Sequence, residues 1–263
     1  GGSIQAIYRG ICMEEVDGDD PIIDEFASAY PGTPSTEILE NLARQYPCIF
    51  IRGNKEDYWI QHHNGKGDWS AGTSGSGMLI YAYERLTSQQ IEAFEKMPIA
   101  QKISYPGYSP FVICHGSPWK SNESLREDFD YIDERTKQLE TDLTICAHFH
   151  IQCEYTRNHR TVVNPGAVGI PLQSSGMTQF MMLYGEEGHW RKEFISLPFD
   201  TEKVIQEMDA EKLYQQAPGW YRVTKEVLRK GTTTHLTVLS KAHDLYLLET
   251  GNDDWNNIPE KFW

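Results

Sequence analysis

The 263-residue chain carries 38 Asp and Glu against 24 Lys and Arg, a formal net charge of −14 at pH 7. A surface this acidic excludes a nucleic-acid polymer as partner, because phosphate contacts need clustered cations. It leaves open a small phosphorylated molecule, since a divalent metal locally reverses the field.

No stretch is long and apolar enough to span a membrane, and no basic-then-apolar leader pattern is seen. The five cysteines form no Cys-x-x-Cys pair and read as reduced, buried thiols. The expectation is a cytoplasmic protein.

Ile4, Ile7, Tyr8 and Ile11 recur at helical spacing and predict a short amphipathic helix near the start. Gly18 and Asp19-Asp20-Pro21 break it, and Pro21-Ile22-Ile23 opens a strand. Ser35 and Thr36, ahead of Ile38, Leu39, Leu42 and Ala43, predict the capped start of a second helix. Cys48-Ile49-Phe50-Ile51 reads as a strand ending in Arg52-Gly53-Asn54, followed by a Gly- and Ser-rich loop over residues 65–77. That loop is not a phosphate loop, because no Gly-Lys-Ser/Thr follows its glycines.

Helical patterns over Met78–Leu86 and Gln89–Met97 precede strands at Lys102–Tyr105 and Phe111–Cys114. A polar stretch rich in Asp and Glu then leads to Leu143–Cys146, an apolar run typical of a strand covered on both faces. Cys153–Tyr155, Thr161–Val163, Gln179–Tyr184 and Trp190–Ile195 form an all-β run joined by short turns. From about Thr201 the pattern is helical, with Trp220, Val223 and Val227 on one face, and the aromatic end Ile258–Trp263 is expected to tuck back. These elements predict an α+β protein of two sheets packed face to face, with helices outside.

The chemistry concentrates at strand ends. Ala147-His148-Phe149-His150 follows the Leu143–Cys146 run. On an extended backbone residues i and i+2 share a side, so both imidazoles reach one volume past the strand end. Asn54 follows Ile49–Ile51, His115 follows Phe111–Cys114, and Val163-Asn164-Pro165-Gly166-Ala167-Val168-Gly169 places a polar side chain and a tight turn after another strand. Nitrogen and oxygen donors of this kind suit Mn, Fe, Zn or Ni better than Ca or Mg. Adjacent His62 and His63 point apart and read as ordinary side chains, whereas Trp119 and Lys120 either line a substrate rim or simply pack.

Taken in order, Gly53-Asn54-Lys55-Glu56-Asp57, His115-Gly116-Ser117-Pro118, Ala147-His148-Phe149-His150 and Asn164-Pro165-Gly166-Ala167-Val168-Gly169 resemble the signatures of calcineurin-like metallophosphoesterases. The narrower resemblance, over roughly Ile4 to Leu197, is to the small bacterial branch of phosphodiesterases and asymmetric diadenosine tetraphosphate hydrolases.

The resemblance implies a four-layer α/β/β/α sandwich over residues 1–199, with residues 200–263 as a helical extension packed on it. It implies two divalent metal ions, manganese first among Mn, Fe, Zn and Ni. Asn54, His115 and His148 would hold one ion and His150 the other. Water between the ions would attack a phosphodiester or phosphoanhydride of a small nucleotide-like substrate, such as a dinucleotide. Asn54 and His115 would be catalytic, and Lys55, Asn164 and Gly166 would meet the substrate.

The sequence departs from the family pattern in three places. The opening Asp-x-His-Gly-Asn strand is absent, and with it two ligands of the second metal. The Gly-Asp signature is replaced by Ile22-Ile23-Asp24-Glu25-Phe26, where either Asp24 or Glu25 supplies the bridging carboxylate. Lys55 stands where many relatives have a histidine. The favoured expectation is that the natural protein has a first strand missing from this chain. The alternative is a catalytically silent relative, kept as a nucleotide-binding or regulatory module.

Overall fold

The computed structural model describes the backbone of residues 8–14 and 23–29, and residues 49–174, 176–255 and 257–263 with their side chains. The helix expected near Ser35–Ala43 lies outside the described residues.

Two sheets form the body. The first has the order β2-β1-β8-β9, from β1 (Tyr8–Glu14), β2 (Ile23–Ala29), β8 (Met177–Glu186) and β9 (His189–Pro198). The second has the order β3-β4-β5-β7-β6, from β3 (Ala100–Ile103), β4 (Phe111–Cys114), β5 (Leu143–Ile145), β6 (Cys153–Arg157) and β7 (Arg160–Asn164).

The sheets face each other because the patterns in their strands leave no other way to bury them. In β8, Gln179, Met181 and Leu183 alternate inward. Met181 and Leu183 meet Phe111, Ile113, Leu143, Ile145 and Val163 of the second sheet in one core. Every residue of β4 and β5 is buried, as expected of strands covered on both faces. Their outer face packs under helix α4 (Ile132–Gln138), where Leu125, Ile132 and Leu139 close over Cys114, Cys146 and Val162. The α+β sandwich expected from the sequence is the observed fold.

Within the second sheet β4, β5 and β7 run parallel, paired Ile113↔Ile145 and Ile145↔Val163. Their carboxyl ends therefore open on one edge, where open sheets place ligands. His115, the His148–His150 turn and Asn164 all sit at that edge.

Two local expectations are corrected, and one stretch left unassigned holds a helix. The stretch predicted as an amphipathic helix is strand β1 over Tyr8–Glu14, antiparallel to β2 and parallel to β8. A β8–β9 ribbon alone is marginal, and pairing of β1 and β2 onto it supplies the backbone partners that local helical spacing cannot. Ile49–Ile51 carries no ladder; its Ile49 and Ile51 still pack on the sandwich core, so burial alone accounts for the apolar pattern. The acidic stretch before β5 contains α4, whose charged Asp133, Glu134, Arg135 and Lys137 mask a buried stripe of Ile132 and Thr136.

Helices α1 (Asn54–His63), α2 (Gly77–Tyr83) and α3 (Ser88–Lys96) build a small core of Trp59, Ala82, Ile91 and Phe94. Thr87 caps α3 by accepting from the Gln90 N–H at 3.2 Å, while the Gln90 side chain accepts from Thr87 N at 2.9 Å. His62 stacks on Trp69 at 4.1 Å and His63 meets the Tyr83 hydroxyl at 2.9 Å, the ordinary roles expected of that pair.

The C-terminal helices are α5 (Thr201–Ala210), α6 (Leu213–Gln216), α7 (Pro218–Lys230) and α8 (His235–Thr250). Ile205, Met208, Leu213, Ala217 and Leu228 bury against Met78 and Tyr81 of α2. Pro218 opens α7 and Gly231, at φ 63°, ends it in the left-handed conformation glycine tolerates. The aromatic end folds back as expected: Ile258 is fully buried with Ala242 and Tyr246, and Glu260 accepts from the Ser74 hydroxyl at 2.9 Å.

His235 opens α8, stacked on Trp220 at 5.3 Å and bonded through Nε2 to the Thr224 hydroxyl at 2.7 Å. Burial, aided by the Lys55 charge, pulls it from the ordinary 6.5 down to about 4. A depressed folded pKa means stability is present above pH 6.5 and lost as pH falls toward 4, where the unfolded chain takes up a proton first. His235→Gln is expected to flatten that slope by roughly 2 kcal/mol. Urea melts of both proteins from pH 7 to 4 check it, and parallel slopes would refute it.

Candidate metal centre

Asn54 is the first residue of α1, and its position is set by local capping. Gly53 N–H donates to Glu56 Oε2 at 2.7 Å, so the buried Glu56 closes the helix start rather than facing a ligand. Asp57 accepts from Arg52 Nε at 2.7 Å and from the Ser121 hydroxyl, tying α1 to the loop that follows His115. The sequence carried a signal for this network in the Gly-x-x-Glu spacing before an apolar run, and the reading missed it.

The His115 ring lies against Gly53. A Cβ at residue 53 would stand 2.9 Å from His115 Nδ1 and 3.0 Å from Cγ. The backbone there, φ −98°, is open to any residue, so the glycine is required by the ring and not by the turn. Thus seated, His115, 5% exposed, donates from Nε2 to Asn54 Oδ1 at 3.0 Å. The His148 ring stands edge-on to it, centroids 5.3 Å apart.

His148 and His150 are not on an extended backbone. Their φ angles are 66° and 59°, both left-handed, so they belong to a turn and the shared-side argument for a strand does not apply. Left-handed conformers cost non-glycine residues energy and persist where surroundings over-determine them. Here the surroundings are explicit. Phe149 N–H bonds Ala147 O at 2.8 Å, Ala147 N–H bonds His115 O at 2.8 Å, and Leu172 N–H bonds His150 O at 2.9 Å. His150 Nδ1 meets the Ile170 carbonyl at 2.7 Å. A carbonyl only accepts, so Nδ1 carries the proton and the neutral ring keeps its lone pair on Nε2.

Asn164 and Gly166, expected at the substrate, are both buried. Asn164 is fully buried, donating to Ala147 O at 2.5 Å and accepting from Gly166 N–H at 2.9 Å. Gly166, at φ 90°, has no room for a side chain: a Cβ would stand 2.6 Å from Gln179 Cβ. Both residues brace the turn that carries the histidines. Asn164→Ala leaves the buried Gly166 N–H without its partner and is expected to cost about 1–3 kcal/mol, read as a lower urea midpoint. A loss within ~0.5 kcal/mol would contradict it.

Lys55 is part-buried in the first turn of α1, its ammonium 5.4 Å from the Tyr58 ring centre. Trp119, in the loop after His115, is 40% exposed with the Arg135 guanidinium 5.5 Å from its ring centre. Asp24 and Glu25 are placed by backbone alone in β2, opposite Met13 and Cys12; their side chains lie outside the described residues.

Among the described residues no three His, Cys, Asp or Glu side chains group to hold a metal. The donors that do converge are two imidazoles and an amide oxygen. Two adjacent ligands at right angles around an ion, with bonds of about 2.1 Å, stand about 3.0 Å apart. The His115–Asn54 separation of 3.0 Å is that of their hydrogen bond and equals that spacing, so the pair would suit a divalent transition metal once the His115 proton moves off Nε2. Among the described residues no helix is long and apolar enough to cross a membrane.

Residues 29–187 match the model of the calcineurin-like phosphoesterase superfamily domain. A hypothetical protein from Pyrococcus horikoshii OT3 superposes with a TM-score of 0.62 at 16% identity, covering 86% of this chain and 99% of its own. A metallophosphoesterase from Sphaerobacter thermophilus does so with a TM-score of 0.59 at 15% identity, covering 85% and 100%. At these identities the likeness is one of fold. No curated protein matches the sequence.

Proposed function

The chain belongs to the calcineurin-like phosphoesterase superfamily, and from that premise we propose that it hydrolyses a phosphodiester or phosphoanhydride bond in a small nucleotide-like molecule, such as a dinucleotide. The narrower branch of small bacterial phosphodiesterases is part of this reading. So is the division into a phosphoesterase domain over residues 1–199 and a C-terminal extension. Cytoplasmic location belongs to it as well, supported by the free Cys114, Cys146 and Cys153.

Asn54, His115 and His148 would hold one divalent ion, manganese before Fe, Zn or Ni. His150 would hold a second, with Asp24 or Glu25 between them. The observation that carries this reading is the 3.0 Å approach of His115 Nε2 to Asn54 Oδ1 beside the His148 ring. Ions bound there would supply Lewis acidity, an acidified water and charge neutralisation at phosphoryl oxygens.

The chain's own residues supply the rest. Lys55, next to Asn54 at the start of α1, offers a phosphate oxygen a cation at a helix N-terminus. In a protein of net charge −14 such a local cation matters for drawing in an anion. A lysine stays protonated at neutral pH and gives up its proton poorly. A leaving group of low pKa, another phosphate, therefore suits this site better than an alkoxide.

The test is turnover of an aryl phosphodiester and of a dinucleoside polyphosphate by the full chain. Manganese-stimulated hydrolysis, lost to a chelator and restored by metal, is expected. A full chain inert with every divalent ion would overturn the reading. That outcome would favour a nucleotide-binding module without catalysis.

A further inference from the structure

The turn that carries His150 is held by a loop, and that loop is held by helices beyond the matched residues 29–187. Ile170, whose carbonyl takes the His150 Nδ1 proton, is 6% exposed and buried against Val223 and Val227 of α7. Leu172, whose N–H bonds the His150 carbonyl, packs on the same cluster together with Val238 of α8. One residue on, Gln173 N–H donates to the carbonyl of Gly231 at 3.0 Å, at the end of α7. Both bonds to His150 thus come from a segment whose apolar side chains are seated on the C-terminal helices.

We propose that the α7–α8 pair is a positioning element for His150: by seating Ile170 and Leu172 it holds the imidazole in its left-handed turn with the proton on Nδ1 and the lone pair on Nε2. The inference rests on the reading of His150 as a metal ligand. Its physical basis is general. A ligand histidine whose second nitrogen is fixed by a hydrogen bond is oriented and locked in one tautomer, and loosening that partner weakens metal binding about 10–100-fold. Val223, Val227 and Val238 act through Ile170 and Leu172, and are positioning residues.

The experiment uses the full chain with Val223→Ala and Val227→Ala together. Side-chain 15N–1H correlation spectra of the metal-free protein report the His150 tautomer, and calorimetric manganese titration reports affinity. The native protein is expected to show the Nδ1–H form. The double variant is expected to show a tautomer mixture and to bind the ion held through His150 about 10–100-fold more weakly. Val227→Ala alone, the milder change if the pair fails to fold, is expected to move both readouts in the same direction. Val227→Ile, which keeps a β-branched apolar side chain and adds one methylene, is expected to leave both readouts nearer native than the alanine does.

A folded alanine variant with a native tautomer and native manganese affinity would overturn the proposal. His150→Ala separates the two levels. If it binds manganese as the native protein does, the ligand reading itself fails. If it loses an ion while the valine variants keep theirs, the positioning role alone fails.

Discussion

His115→Gln is expected to lower kcat/KM on an aryl phosphodiester by at least about 10³-fold, the equivalent of roughly 4 kcal/mol of transition-state stabilisation. The ring occupies the centre of the constellation. It touches Asn54 through Nε2, stands beside His148, and its backbone carbonyl anchors Ala147 at the start of the histidine turn. Glutamine keeps the backbone anchor and much of the side-chain volume, so the melting temperature should change little while metal affinity and turnover collapse together. Turnover within tenfold of native, with manganese bound as before, would remove His115 from the site.

Gly53→Ala is the second large effect, and it adds one methyl at a residue that is not itself a ligand. The new Cβ would press on His115 Nδ1 and Cγ at 2.9 and 3.0 Å and on Glu56 Oε2 at 3.0 Å. Ordinary carbon contacts begin near 3.5 Å, so either the ring or the helix start must give. The backbone angles suit alanine, which confines the damage to these contacts. The expected result is a loss of manganese affinity of about 10–100-fold, with about 1–3 kcal/mol of stability lost to overpacking. Affinity and stability unchanged together would mean that the ring is not seated as described.

Much of this site was legible before the fold. β4 was bounded at Phe111–Cys114 by its apolar run alone, and the strands β6 to β9 followed from alternation and turns. Asn54, His115 and the two histidines could be brought together because β4, β5 and β7 are parallel neighbours ending on one edge. The failures have physical causes. Helical spacing of isoleucines near the start could not reveal β1, because strand identity there depends on β8 as a partner. The charged surface of α4 concealed a buried face of only Ile132 and Thr136.

The His-x-His failed for a different reason. Its strand ends at Ile145, and the residues beyond obey turn geometry rather than the two-residue period of a strand. The conclusion that both histidines lie at one sheet edge survived, since the turn itself stands there. Hydrogen bonds to His115, Ile170 and Leu172 hold the turn there. Asn164 shows the same lesson at the next strand. Its residue type pointed to a ligand, yet full burial makes it a brace between the histidine turn and Gly166.

The most direct test of the metal centre is anomalous diffraction from crystals of the full chain grown with manganese. An anomalous peak is expected within about 2.0–2.3 Å of His115 Nε2 and Asn54 Oδ1, on the side of the His148 ring. Crystals saturated with manganese that show no peak there, with Nε2 still donating to Oδ1, would contradict it.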